Sequence, residues 1–285
     1  MSAVQVSATL TASEPAGAYQ LLTLEAPEVA ATAEPGHFVA LAVGGPGTSM
    51  LLRRSFALYT ADRASGRIQV VVAEHGPGTA WLVRAPVGTE LDVVGPLGRP
   101  FPLPPAEAGG TAVLVAGGYG SAPLFDLART LRQRTVAVHL VLGAATRARL
   151  FGLSEASELA DSVTVTTDDG SAGRRGLVTY GLAELIGRTA ADVVYACGPM
   201  AMLQAVGELA GACGVQCHVA VEEAMACGIG VCMTCVLPVV GADGVSRLVR
   251  SCTEGPVFDA ARVRWKDVGT LPADVYGADA MGGSR

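Results

Sequence analysis

In the first hundred residues, short runs alternate hydrophobic and polar positions between turn-forming Gly, Pro, Asp and Ser. Val4–Ala8, Gln20–Leu24, His37–Leu41, Ser55–Tyr59, Arg67–Val72 and Glu90–Val94 read as strands, with Thr79–Arg84 as a short helix. Strands of that length and spacing predict a small antiparallel β-barrel. Pro102-Leu103-Pro104-Pro105 and Gly109-Gly110 make a stiff, turn-rich boundary. Beyond it the period changes. Thr111–Ala116 and Val136–Leu142 are continuously apolar, Val163–Thr167 and Asp192–Ala196 follow, and helical patterns cover Ala122–Arg132, Thr179–Ile186 and Met200–Ala212. Strands greasy on both faces, alternating with helices, predict a doubly wound α/β domain with a parallel sheet. After Glu222 come a cysteine-bearing loop, the runs Val236–Val239 and Arg247–Ser251, and a Gly- and Ala-rich end from Gly277 to Arg285 that is expected to fray. The chain thus divides into a barrel (1–104), an α/β domain (105–221), a small module (222–270) and a flexible tail (271–285).

Composition narrows the function. Half of the residues are hydrophobic, enough for a sizeable core. A net charge of −6 without any basic run argues against a nucleic-acid partner. No apolar stretch reaches membrane-spanning length without a charge, Pro or turn signal. The opening MSAVQVSATL lacks the features of a signal peptide. Seven cysteines in such a chain read as reduced thiols and metal ligands in the cytoplasm.

Four of those thiols carry the sharpest chemistry. Cys227-X4-Cys232-X2-Cys235 is followed, after sixteen intervening residues, by Cys252. This spacing is that of plant-type [2Fe–2S] proteins, whereas zinc ribbons pair one CxxC with another. Gly228 and Gly230 let the loop wrap closely and aim N–H groups at sulfur, while Ile229, Val231 and Met233 keep water away. A zinc knot or scattered core cysteines are the competing readings. Cys197, Cys213 and Cys217 are not expected to be ligands.

Nucleotide-binding signals accompany the cluster loop. Val113–Ala116 leads into Gly117-Gly118-Tyr119-Gly120 and a helix start, where a pyrophosphate can approach the backbone, although Pro123 stands where a dinucleotide fingerprint has its third glycine. Cys197-Gly198-Pro199 ends another parallel strand, where Cys197 would face a nicotinamide. In the barrel, Arg54 and the helix start at Gly78-Thr79 can hold a diphosphate. Singly, each could be an ordinary turn or a solvated basic pair. Asp168 and Asp169 after the third α/β strand favour NADH by repelling a 2′-phosphate; Arg147 and Arg149 would favour NADPH.

Together these parts resemble the ferredoxin–NADP reductase superfamily, and within it the electron-transfer subunits of class 1B dihydroorotate dehydrogenases. The resemblance is carried by Leu51-Leu52-Arg53-Arg54, by Gly76-X-Gly78-Thr79 with Gly95-Pro96-Leu97-Gly98, by Glu222 to Cys232, and by Cys252-Thr253-Glu254-Gly255-Pro256-Val257-Phe258-Asp259. It implies an FAD-binding barrel with Arg54, Ser55, Phe56, Ala57, Val71, Val72, Ala73, Gly78 and Thr79 at the flavin. It implies an NAD(H) domain with hydride transfer near Cys197, and a [2Fe–2S] cluster on Cys227, Cys232, Cys235 and Cys252. It also implies a partner, an FMN-containing dihydroorotate dehydrogenase catalytic subunit in a heterotetramer, so that electrons pass between its FMN and NAD in pyrimidine biosynthesis. The family's flavin strand usually carries a serine where this chain has Ala57, and Tyr119 and Ala73 also depart from its pattern. Two other functions use the same parts: a flavin/iron–sulfur subunit of a hydrogenase or transhydrogenase-like complex, and a redox sensor without turnover.

Overall fold

The computed structural model describes residues 3–45, 48–105 and 109–278. Six strands close the barrel: β1 (Val4–Ala16), β2 (Tyr19–Glu25), β3 (Phe38–Leu41), β4 (Arg54–Asp62), β5 (Arg67–Val72) and β6 (Glu90–Leu97). Their order around it is β1-β2-β5-β4-β3-β6, all antiparallel. β1 runs eight residues past its predicted end, because its first half pairs with β6 and its second with β2, shifting register between Leu10 and Ala12. Leu10, Leu22, Leu24, Val39, Ile68 and Val93 fill the interior. Two helices, α1 (Pro27–Ala30) and α2 (Pro77–Arg84), sit in the connections, and Leu82 of α2 plugs the core.

The second sheet is built from β7 (Thr111–Gly117), α3 (Ala122–Gln133), β8 (Ala137–Ala144), α4 (Leu153–Leu159), β9 (Ser162–Thr167), β10 (Arg174–Arg175), α5 (Leu182–Thr189), β11 (Val193–Cys197), α6 (Met200–Ala212) and β12 (Gln216–Ala220). β13 (Val236–Val240) and β14 (Ser246–Arg250) form a separate hairpin, and β15 (Val257–Asp259) returns to the sheet. The sheet order is β10-β9-β8-β7-β11-β12-β15, parallel except for β15. Strand order reverses at β7, between β8 and β11, which is where doubly wound sheets open a ligand crevice.

Several elements differ from the sequence reading. α5 starts at Leu182 rather than Thr179, since Gly181 takes a left-handed conformation just before it. α4 and β12 lack a clear apolar period; each is held by tertiary packing, α4 through buried Ala156 and β12 between two strands. Val257–Asp259, inside the stretch assigned to the small module, is the edge strand of the second sheet. Residues 271–278 of the expected flexible tail are fastened. Val275 is buried, Asp274 pairs with Arg264 at 3.0 Å, and the Tyr276 N–H donates to the Ser246 carbonyl. Residues 279–285 lie outside the described part.

Half of the chain's few aromatic rings meet between barrel and sheet. Tyr59 packs edge-on against Phe125 and Phe151, Tyr19 against Phe151 and Tyr119, and Phe101 against Tyr195. Beside them, the Tyr59 hydroxyl donates to Glu155 (2.5 Å), which also pairs with Arg129. Asp126 lies one helical turn from Arg129. Burial raises its carboxyl to about 6, against the pull of Arg129. Below the ordinary carboxylate range both folded and unfolded chains hold this proton. Between there and pH 6 only the unfolded chain ionises, so Asp126 increasingly costs stability, and the cost is complete above pH 6. Asp126→Asn is therefore expected to raise stability at pH 8 by about 1–2 kcal/mol, discounted for partial exposure. Thermal melts should show the gain disappearing below about pH 4.

Candidate functional site

A cleft of about 1010 Å³ runs between the barrel and the carboxyl ends of the parallel strands. Its barrel wall carries Arg54, Ser55, Phe56 and Ala57 of β4, Val71 and Ala73 at the end of β5, and Thr79 of α2. Strand alternation separates Val72 from this set: its side chain is fully buried in the barrel core, not in the cleft.

Arg54 is the electrostatic centre of this wall. Its guanidinium packs on Gly78, in the first turn of α2, and donates to the Leu52 carbonyl at 2.7 Å. That turn has no acidic residue, and no carboxylate among the described residues pairs with Arg54, whereas neighbouring Arg53 is neutralised by Asp92 at 2.6 Å. A cation beside the positive end of a helix is unfavourable without an anion between them. These residues fit a bound diphosphate. Ala57 offers no hydroxyl at its place in the cleft; the nearby hydroxyls are those of Ser55 and Thr79.

The opposite wall is the turn after β7, with Gly117, Gly118 and Gly120, and the turn after β11, with Cys197, Gly198 and Pro199. Gly120 has a packing role the sequence did not reveal. A Cβ there would lie 2.6 Å from the Cys197 carbonyl oxygen, so the two turns can touch only because it is glycine. Burial pushes the Cys197 thiol up to about 12, so it stays protonated at neutral pH. Tyr119 bridges three parts of the chain. Its ring meets Tyr19 and His75 of the barrel, and its hydroxyl donates to Glu222 at 2.9 Å. Burial, then the Glu222 charge, raises its phenol above the ordinary range. Asp168 and the Arg149 side chain both line the far end of the cleft, while Asp169 is engaged by Ser171 and Arg147 is exposed outside it. Tyr19, Phe38 and Thr166 also line the cleft, and nothing in chain order marks them.

The cysteine loop abuts this cleft. Among the described residues no three His, Cys, Asp or Glu side chains are arranged round a single metal ion. Instead the four thiols interact with one another: Cys232 with Cys227, and Cys252 chiefly with Cys235 and more weakly with Cys227. Two thiols per iron is the arrangement a two-iron cluster needs, so the donor set fits [2Fe–2S] better than zinc. Backbone and hydroxyl donors already face sulfur: Val231 N–H to Cys227 (3.4 Å) and Thr234 Oγ1 to Cys232 (3.1 Å). Gly230 in this loop takes φ +83°, a left-handed conformation that favours glycine. The Thr234 contact lowers the exposed Cys232 thiol to about 6, while burial pushes Cys252 up to about 12. Cys235 and Cys252 share a buried cluster with Phe38, Ala40 and Leu97, and Phe38 also lines the cleft. Phe38 thus belongs both to the cleft and to the surroundings of the buried thiols. Cys213 and Cys217 lie in α6 and β12 surroundings, apart from this group.

Comparison with known proteins matches this geometry. The family model for the iron-sulfur cluster binding domain of dihydroorotate dehydrogenase B covers residues 222–264, and that for the oxidoreductase NAD-binding domain covers 114–208. The chain is 42% identical to the dihydroorotate dehydrogenase B (NAD(+)) electron transfer subunit of Geobacillus thermodenitrificans, over 85% of this chain and 91% of that protein. It is 40% identical to the corresponding subunit of Bacillus caldolyticus, with the same coverage. A chain of the NADH-dependent reduced ferredoxin–NADP oxidoreductase superposes with a TM-score of 0.80 at 28% identity, covering 96% of this chain and 95% of that one.

Two substitutions test the barrel wall. Arg54→Ala removes a charge-assisted contact, worth roughly 1.5–3 kcal/mol, so flavin affinity should fall about tenfold or more. Gly78→Ala sets a Cβ 2.8 Å from Arg54 Nε and should displace the guanidinium, with a loss in the same direction. Flavin retained through gel filtration measures both; undiminished retention in Arg54→Ala contradicts the assignment.

Proposed function

The chain belongs to the dihydroorotate dehydrogenase B electron transfer subunits, and on that premise we propose that it carries electrons between NAD and the FMN of a dihydroorotate dehydrogenase catalytic subunit, through FAD and a [2Fe–2S] cluster, in pyrimidine biosynthesis. The observation that carries this reading is Phe38, which lines the cleft and shares a buried cluster with Cys235 and Cys252. FAD, when bound, splits the two electrons of a nicotinamide hydride into the single electrons that an iron–sulfur cluster accepts.

The chain's own groups have the following parts in the proposal. Arg54 and the amides at Gly78 and Thr79 hold the flavin diphosphate, with Ser55, Phe56, Ala57, Val71 and Ala73 as walls. Gly117, Gly118 and Gly120 leave backbone exposed to the nicotinamide nucleotide, and Cys197, Gly198 and Pro199 place its reactive end. The neutral Cys197 thiol adds no charge there. Asp168 faces the cleft and disfavours a 2′-phosphate, which supports NADH. Cys227, Cys232, Cys235 and Cys252 bind the two irons. Cys235 and Cys252 are buried, while Cys227 is half-buried and Cys232 lies at the exposed loop surface. That surface carries Ile229, Val231 and Met233, at 51%, 75% and 50% exposure, an apolar patch suited to a protein partner.

Pyrimidine chemistry belongs to that partner, and a heterotetramer is the assembly we expect. We also place the work in the cytoplasm; among the described residues no helix is long and apolar enough to cross a membrane, and all seven cysteines are free. The hydrogenase-type subunit and the turnover-free sensor, both open from the residues alone, give way to the family.

The full chain purified without oxygen should contain about two irons and two labile sulfides. Cys252→Ser should lose them and Cys213→Ser should keep them; stoichiometric zinc would refute the cluster. Alone, the protein should reduce dyes with NADH without oxidising dihydroorotate. Mixed with the FMN-containing catalytic subunit it should form orotate with NAD reduction. A mixture that neither associates nor couples the two would defeat the functional reading.

A further inference from the structure

Thr253 follows the last cysteine of the loop, and its hydroxyl is anomalous. Thr253 Oγ1 is inaccessible to solvent and has no hydrogen-bond partner among the described residues. A threonine here has local acceptors at hand. Its own N–H donates to the Arg250 carbonyl, yet the hydroxyl bonds to no carbonyl in that turn. An unpaired buried hydroxyl is costly, and such groups normally find a partner. The side chain is held against the cluster loop: a Cβ on Gly230 would stand 2.7 Å from Thr253 Cγ2 and 3.6 Å from Oγ1. Gly230 lies in the loop between Cys227 and Cys232. The neighbouring Arg250 is already committed, to the Gly230 carbonyl (3.1 Å) and to Glu254 (3.4 Å). Ser251 Oγ is likewise buried and unpartnered, and the Ser251 N–H donates to the Cys235 carbonyl at 2.8 Å, but it is the Thr253 side chain that packs against Gly230 between Cys227 and Cys232.

We propose that the Thr253 hydroxyl donates a hydrogen bond to a sulfur of the [2Fe–2S] group and thereby tunes how readily the cluster takes an electron. Thr253 is not a ligand. Reduction adds one electron to the cluster without making or breaking a bond, and the added charge spreads onto sulfur. A donor aimed at sulfur stabilises the reduced form more than the oxidised one and raises the potential. The proposal rests on the cluster assignment made above.

The test uses the full chain, purified without oxygen and titrated with dithionite and mediator dyes. Iron and sulfide are measured first; a wild-type protein without them sinks the cluster assignment itself. With the cluster present, Thr253→Val is expected to lower the reduced-to-oxidised ratio at the wild-type midpoint about tenfold, a shift of about 59 mV for a one-electron couple. Thr253→Ser should stay near wild type. Resonance Raman bands of the iron–sulfur stretches should shift on transfer to heavy water, by less in Thr253→Val than in wild type. An unchanged potential and an unchanged isotope shift in a cluster-replete Thr253→Val protein would overturn the proposal. If Thr253→Val and Thr253→Ala both shed the cluster, retention in Thr253→Ser supports a requirement for the hydroxyl, and loss in Thr253→Ser as well overturns it.

Discussion

The segment from Cys252 to Asp259 is the constraint on which the arrangement depends. At its start, Cys252 is buried with Cys235 against Phe38, Ala40 and Leu97 of the barrel. In its middle, the Gly255 carbonyl accepts from Arg99 N–H at 2.6 Å and the Pro256 carbonyl accepts from Val221 N–H at 2.9 Å. At its end, Val257–Asp259 pairs with β12 as the last strand of the second sheet. Eight consecutive residues therefore hold barrel, sheet and cysteine loop in one register. Electron transfer needs such registration, because carriers on separately mobile units would not keep a fixed separation.

A second tie lies on the opposite side of the cleft, where the aromatic rings meet. Tyr59 enters from the barrel with both an apolar ring and a hydroxyl; the hydroxyl donates to Glu155, which Arg129 in turn pairs with. The ring supplies area and the polar tip supplies orientation. Asp126 beside them is partly desolvated, and burial raises its carboxyl in spite of the nearby Arg129 charge. That cost is tolerated for orientation rather than for stability, consistent with the weak net contribution of buried ion pairs.

The cleft itself is organised by unpaired positive charge. Among the described residues seven arginines find carboxylates, Arg53, Arg84, Arg132 and Arg247 among them. Arg54 at the α2 N-terminus does not. Local structure here conflicts with electrostatic preference, a conflict that a bound anion resolves. Ala57 lies nearby and lacks a hydroxyl, which leaves the contact between Arg54 and Gly78 untouched.

Much of this was legible in the chain. Period-two alternation in short runs specified the barrel strands, and continuous apolar runs between helices specified a parallel sheet, because these patterns report directly which faces are buried. The cysteine spacing singled out the four thiols that the fold brings into mutual contact, because three of the four lie in one loop whose geometry is local. What the chain order did not show is whatever depends on residues distant in sequence. β1 runs long because two different strands pair with its two halves; α4 and β12 exist by packing; Val257–Asp259 belongs to a sheet begun more than a hundred residues earlier. Gly120 is glycine because a turn 77 residues later touches it, and Val72 leaves the cleft because the barrel closes over it. The pairing of the sulfurs and the stranded Thr253 hydroxyl belong to the same class. Sequence determines which groups are present and which local shapes they prefer; only the closing of the barrel against the sheet decides which of them meet.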